Sequence, residues 1–114
     1  MHEASVAQSV LEIVEGAVQE YPNGRVVEVQ VSVGALAHID DDSLRFAFDV
    51  LKEGTVASEA RLCIDRTPLR GSCRVCREEY EAASLAEACP SCGSSSVVWL
   101  GGEETEVCSV EIEE

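Results

Sequence analysis

The chain reads as an α+β protein: a three-stranded sheet with two helices on one face, plus an inserted zinc-ribbon-like four-cysteine domain. Three observations carry that expectation. Residues 27–33 alternate Val with Glu, Gln and Ser, the two-residue period of a half-buried strand. Apolar residues recur at helical spacing near the start. Two Cys-x-x-Cys pairs, Cys73 with Cys76 and Cys89 with Cys92, fall between the elements and not after them.

The elements follow in order. From Ala4 to about Glu20, Val6, Val10, Ile13, Val14, Ala17 and Val18 make an apolar side, and Gln8, Glu12, Glu15 and Gln19 a wet one. Tyr21-Pro22-Asn23-Gly24 ends that helix in a turn. Val27, Val29, Val31 and Val33 then give the clearest strand. Asp40-Asp41-Asp42-Ser43 offers a cap and negative charge to a second helix, which runs to about Glu53. Its apolar face is Leu44, Phe48 and Leu51, and Gly54 ends it. Ala60 to Asp65 alternates again, with Leu62 and Ile64 inward and Arg61 and Cys63 outward. Glu106 to Ile112 reads as the third strand. The expected division is a 1–68 plus 98–114 α+β domain and a 69–97 zinc-binding domain.

Composition bounds the function. A length of 114 residues allows about one domain, and 46% hydrophobic content allows a packed core despite 4% aromatics. No apolar run is long enough to span a membrane, and the Met-His-Glu start lacks a secretory signal, so a cytoplasmic protein is expected. In that compartment the six cysteines read as thiols, with Cys63 and Cys108 as ordinary strand residues. Twenty-two acidic against eight basic residues give a net charge of −14, which repels a phosphate backbone and excludes nucleic-acid binding.

The cysteine spacing is the strongest chemical signal. Two Cys-x-x-Cys knuckles can wrap four thiolates around one ion, and Zn²⁺ favours that tetrahedral sulfur shell. Iron in a rubredoxin-like centre is the alternative occupant. Gly71 and Gly93 are expected to free the backbone for the tight turns, and Arg70, Arg74 and Arg77 to offset the charge of the thiolates. A closed shell leaves no position for chemistry. The chain also has no phosphate loop and no His/Glu set with hydrolase spacing, so it is not expected to be an enzyme.

The second metal candidate is the chain start. The Met1 amine, His2 amide and His2 imidazole are adjacent nitrogen donors, and square-planar nitrogen sets suit Ni(II) or Cu(II). The first N–H groups of a helix lack internal acceptors, so a metal can replace their protons without breaking the ladder. Glu3 adds negative charge, and Asp40 supplies an oxygen if the fold brings its loop close. His38 reads as a structural or solvated histidine.

These pieces together resemble the HypA/HybF family of hydrogenase-maturation nickel metallochaperones. The likeness runs from Met1-His2-Glu3 and Ser5-Val6-Ala7-Gln8-Ser9-Val10-Leu11 through Val31-Ser32-Val33-Gly34-Ala35-Leu36 and Leu44-Arg45-Phe46-Ala47-Phe48. It continues through Glu53-Gly54-Thr55, Ala60-Arg61-Leu62, the two cysteine pairs and Ser109-Val110-Glu111-Ile112. The resemblance implies a cytoplasmic carrier of Ni²⁺ with structural Zn²⁺ on Cys73, Cys76, Cys89 and Cys92. It implies His2 as the main nickel ligand with the Met1 amine and the Glu3 amide as companions, and the set then closes with chain-terminal groups, with Asp40 or with a ligand from the partner. It also implies partners: a nickel-handling GTPase (HypB-like), the large subunit of [NiFe]-hydrogenase and, in some members, urease maturation proteins. The chain departs from the family pattern at Thr105, where an apolar residue is usual. The rival reading is a zinc-ribbon adaptor that binds only proteins and transfers no nickel.

Overall fold

Helix α1 spans His2–Ala17 and tightens into a 3-10 turn over Val18–Glu20. The computed structural model describes residues 2–82 and 84–114, with His2 as backbone alone. The buried stripe of α1 is Ala7, Val10, Leu11, Val14 and, in the 3-10 turn, Val18. Ile13 is 54% exposed, Ala17 is exposed and Val6 is half-buried, so the helix is turned relative to the expected face. The reason lies in the period: Leu11 and Ala7 continue the row through Val14 and Val18, whereas Ile13 sits about 100° of rotation from Val14.

Strand β1, Arg25–Gly34, buries Val26, Val29, Val31 and Val33. Val27 is only half-buried, against the alternation read from the sequence. Val26 and Val29 are both fully buried with Val27 and Glu28 half-buried between them, so the strict two-residue alternation of burial holds only from Val29 to Val33. Helix α2, Asp41–Leu51, starts on the Asp40 cap, whose side chain accepts from the Ser43 amide at 2.9 Å. Leu44 and Phe48 are fully buried and α1 packs on α2. Leu51 is not in the core; it is 37% exposed, and Phe46 and Val50 are exposed too. Lys52 takes the space after Phe48: its ammonium lies 5.7 Å from the ring centroid and donates to the Ala60 carbonyl at 2.9 Å. Its apolar stem thereby covers the end of the helix. Gly54, at φ 77°, turns the chain onward.

Strands β2 (Arg61–Thr67) and β6 (Thr105–Glu113) flank β1 in a three-stranded sheet of order β2-β1-β6. In β2, Leu62 is buried while Cys63 and Ile64 are both half-buried, so the expected contrast between them is absent. A second sheet lies in the cysteine segment, where the sequence showed no strands. Strands β3 (Leu69–Cys73), β4 (Glu79–Ala82) and β5 (Val97–Trp99) pair antiparallel in the order β4-β3-β5.

The chain divides into two compact units. One contains the chain up to Ser32, His38–Asp65 and Glu106–Glu114; the other contains Val33–Ala37 and Arg66–Thr105. The first has an ordinary aliphatic core built on Val10, Leu11, Val14, Val29, Val31, Leu44 and Phe48, each worth about 1.5–3 kcal/mol of burial. The second is thin: Leu69, Cys73, Tyr80, Ala82 and Cys89, backed by Leu36, Val97 and Trp99. Among the described residues, no helix is long and apolar enough to cross a membrane.

Candidate metal centre

The two knuckles of the second unit are the same loop built twice. In each, the first cysteine's carbonyl accepts from the residue after the second cysteine: Arg77 to Cys73 at 3.0 Å, Gly93 to Cys89 at 2.8 Å. In each, the first cysteine's amide donates five residues ahead, Cys73 to Glu78 and Cys89 to Ser94, both at 2.9 Å. The backbone reversal this needs is left-handed at Arg77 (φ 68°) and at Gly93 (φ 75°). Gly93 was expected in that role. Arg77, the same position of the first knuckle, was missed, and its place one residue after Cys76 was the available signal.

Gly71 corrects the sequence reading, because it lies within β3 and not in a turn. A Cβ there would meet Val97 at 2.8 Å, Trp99 at 3.0 Å and Tyr80 at 3.1 Å. It is a glycine for space: Tyr80 and Trp99 meet edge to face above it, ring centroids 6.3 Å apart. Arg70 also differs from expectation. Its guanidinium reaches Glu79 (3.4 Å) and Glu81 (3.8 Å) on the neighbouring strand, so carboxylates and not the sulfurs take its charge.

The sulfurs of Cys73, Cys76, Cys89 and Cys92 lie within 4.8 Å of one another. Cys73 and Cys92 are 3.5 Å apart, and Cys76 and Cys89 are 3.6 Å apart. A tetrahedral shell with metal–sulfur bonds of about 2.3 Å has edges of about 3.8 Å, so the set fits such an ion. These spacings are too long for disulfides. Cys73 and Cys76 hold their protons unequally. The Cys76 and Val75 amides pointing at the Cys73 sulfur outweigh its burial and bring its pKa down to about 6. For Cys76 the Glu78 amide favours the thiolate, but burial and the thiols of Cys89, Cys73 and Cys92 overcome it and push Cys76 up to about 12. A cation at the centre removes that mutual repulsion. Cys73 and Cys89 are buried, while Cys76 and Cys92 face outward.

Near the chain start, α1 begins at His2, which puts Glu3 in its first turn. The Glu3 carboxylate accepts from the Asp40 amide at 3.0 Å, so these two sequence candidates are brought together. Asp40 Oδ2 accepts from the Ser43 amide and the Ser43 hydroxyl, both at 2.9 Å. Met1 and the His2 side chain lie outside the described residues. His38 is exposed in the loop between β1 and α2. Cys63, half-buried, donates to Glu28 at 3.3 Å, and Arg61 holds the same carboxylate at 2.7 Å. The Arg61 guanidinium, with the Cys63 thiol, holds the Glu28 carboxyl below the usual range. Cys108 is exposed.

An α+β unit and a second small sheet that gathers four cysteine sulfurs within 4.8 Å of one another define a metal-binding protein. The family model for hydrogenase/urease nickel incorporation metallochaperones, HypA, matches residues 1–112. The chain is 35% identical over 113 residues to the hydrogenase maturation factor HypA of Geobacter sulfurreducens, covering 99% of this chain and 100% of that protein. It is 36% identical to the Aquifex aeolicus factor of the same name, covering 99% and 98%. A solution structure of a HypA protein aligns with TM-score 0.73 at 25% identity over 99% of this chain and 97% of that one. The solution structure of the nickel metallochaperone HypA from Helicobacter pylori aligns with TM-score 0.65 at 24% identity, covering 96% and 95%, and shares the fold. The protein belongs to the HypA family of nickel-incorporation metallochaperones for hydrogenase maturation.

Proposed function

We propose that this protein carries Ni²⁺ on its N-terminal residues and delivers it to the [NiFe]-hydrogenase large subunit, working with a HypB-like GTPase. The observation that carries the reading is that α1 starts at His2. The His2 amide is therefore a first-turn N–H group, which has no acceptor within the helix. Nickel can displace the His2 amide proton and bind that nitrogen together with the Met1 amine and the His2 imidazole, while the ladder from the second turn onward is untouched. Asp40, tied to Glu3, brings a neighbouring oxygen-bearing loop. Cys73, Cys76, Cys89 and Cys92 hold structural Zn²⁺, consistent with the sulfur geometry above. The protein transfers metal without catalysing a reaction, and it does so in the cytoplasm.

Nickel titration of protein with a free native N-terminus tests this. His2→Ala abolishes stoichiometric Ni²⁺ binding and keeps the zinc content; wild-type nickel affinity in that variant overturns the carrier reading and leaves the adaptor. An added residue before Met1 weakens binding as well, because it turns the amine into an amide.

A further inference from the structure

We infer that His38 supplies the donor that closes the nickel set, and that Asp40 stays on the helix cap. The inference rests on the terminal nickel reading and deepens it. One hydrogen bond of 3.0 Å joins the first turn of α1, one residue beyond His2, to the residue just before α2. That bond holds the His38–Asp40 end of the loop before α2 beside the first turn of α1, and both segments belong to the first unit.

Two polar side chains of that loop compete for the metal. Asp40 is occupied: a single carboxylate oxygen receives the Ser43 amide and the Ser43 hydroxyl. Turning that carboxylate to a metal removes an N-cap and offers a hard oxygen to an ion that prefers nitrogen in this geometry. His38 is two residues upstream, at most about 7 Å of extended chain away. Its side chain is exposed and makes no hydrogen bond among the described residues. Recruiting it breaks nothing. Imidazole is the commonest metal ligand, and a second imidazole completes a planar set of nitrogen donors with the amine, an amide and the His2 ring. The loop's attachment to Glu3 pre-positions this donor, which lowers the ordering cost of closing the site.

The experiment is Ni²⁺ titration of the full chain with its native terminus: wild type, His38→Ala, His38→Gln, Asp40→Asn and His2→Ala. Zinc content and helical circular dichroism are checked in each. Asn caps a helix as well as Asp, so Asp40→Asn removes the carboxylate donor and keeps the fold. The expected result is that both His38 variants bind nickel at least about tenfold more weakly, a loss typical of groups that support a metal site. Asp40→Asn stays within a few-fold of wild type. Nickel loading also shifts the His38 ring resonances in the nuclear magnetic resonance spectrum, a readout that a merely local role for His38 does not give. Wild-type affinity in His38→Ala together with lost binding in His2→Ala overturns the role of His38 and leaves the terminal site standing. Lost binding in Asp40→Asn alone gives the donor role to Asp40. Unchanged binding in His2→Ala overturns the terminal site itself.

Discussion

Arg77 and Gly93 occupy one position in two equivalent loops, and both hold a left-handed backbone, φ 68° and 75°. Only one of them is a glycine. A side chain in that conformation costs roughly 1–2 kcal/mol, so the first knuckle carries strain that the second does not. Arg77→Gly should therefore stabilise the second unit by up to about 1 kcal/mol, read as a higher thermal midpoint of the zinc-loaded protein. Gly93→Ala should cost a similar amount, although a Cβ there meets nothing within 4 Å. An unchanged midpoint in both variants contradicts the assignment of strain.

A close approach inside the second unit predicts a sharper loss. A methyl group at Gly34 would overlap the Gly102 carbonyl oxygen, which is backbone and cannot step aside. That carbonyl accepts the Leu36 amide at 2.6 Å, and the Glu104 carbonyl accepts the Gly34 amide at 2.7 Å. Gly34→Ala is expected to break both bonds, a loss of about 1–3 kcal/mol. Hydrogen exchange at the Gly34 and Leu36 amides should accelerate first. Wild-type protection at both sites would count against the clash.

Leu11 and Ile13 separate the observed face of α1 from the face read in the sequence. Leu11 is 2% exposed and Ile13 54%. Leu11→Ala should destabilise the first unit by about 2–5 kcal/mol, and Ile13→Ala by less than about 0.5 kcal/mol. Denaturant midpoints measure both. Equal losses would restore the sequence-based face.

Most of the first unit was legible in the sequence because its elements are local. The valine alternation of β1, the Asp40 cap and the Gly54 turn each depend on neighbours within a few residues. The wrong details are those settled by distant partners. Ile13 and Leu11 are both apolar, and only packing against α2 and the sheet decides which one turns inward. Leu51 continues the helical row, yet Lys52 covers that end of Phe48. The second sheet was hidden because β4 and β5 are only four and three residues long. Such strands have no period of their own and exist as partners of β3. The cysteine cluster was legible in full, since its spacing is itself the geometry.

The Glu28 carboxylate provides a pH signature. Arg61 and then Cys63 bond to it and lower its pKa from the ordinary value of 4.5. A depressed carboxyl contributes stability that is complete above the ordinary carboxylate pKa and is lost as pH falls through the lower, folded value. Carbon-detected titration should thus place the Glu28 midpoint below the ordinary carboxylate value, and Arg61→Ala should return it toward 4.5. A midpoint at the ordinary value in the wild type would rule the pairing out.

Removing the ion should act on one unit alone. Stripping zinc with a chelator, or replacing Cys76 with Ala, should abolish exchange protection at the β3, β4 and β5 amides. The α1 and α2 amides should keep theirs. Retained protection in β3 after complete zinc loss would show that the second unit folds without it.

Cys73 and Cys89 are two of the five residues that form the second core, so ligation and folding draw on the same atoms. With so little apolar reserve, zinc bound there as proposed would make the folded population follow the free ion by mass action. Above the dissociation constant, every tenfold rise in free ion adds about 1.4 kcal/mol to the stability of this unit. A cell short of one metal would then lose competence to handle another, with no sensor beyond the folding equilibrium itself.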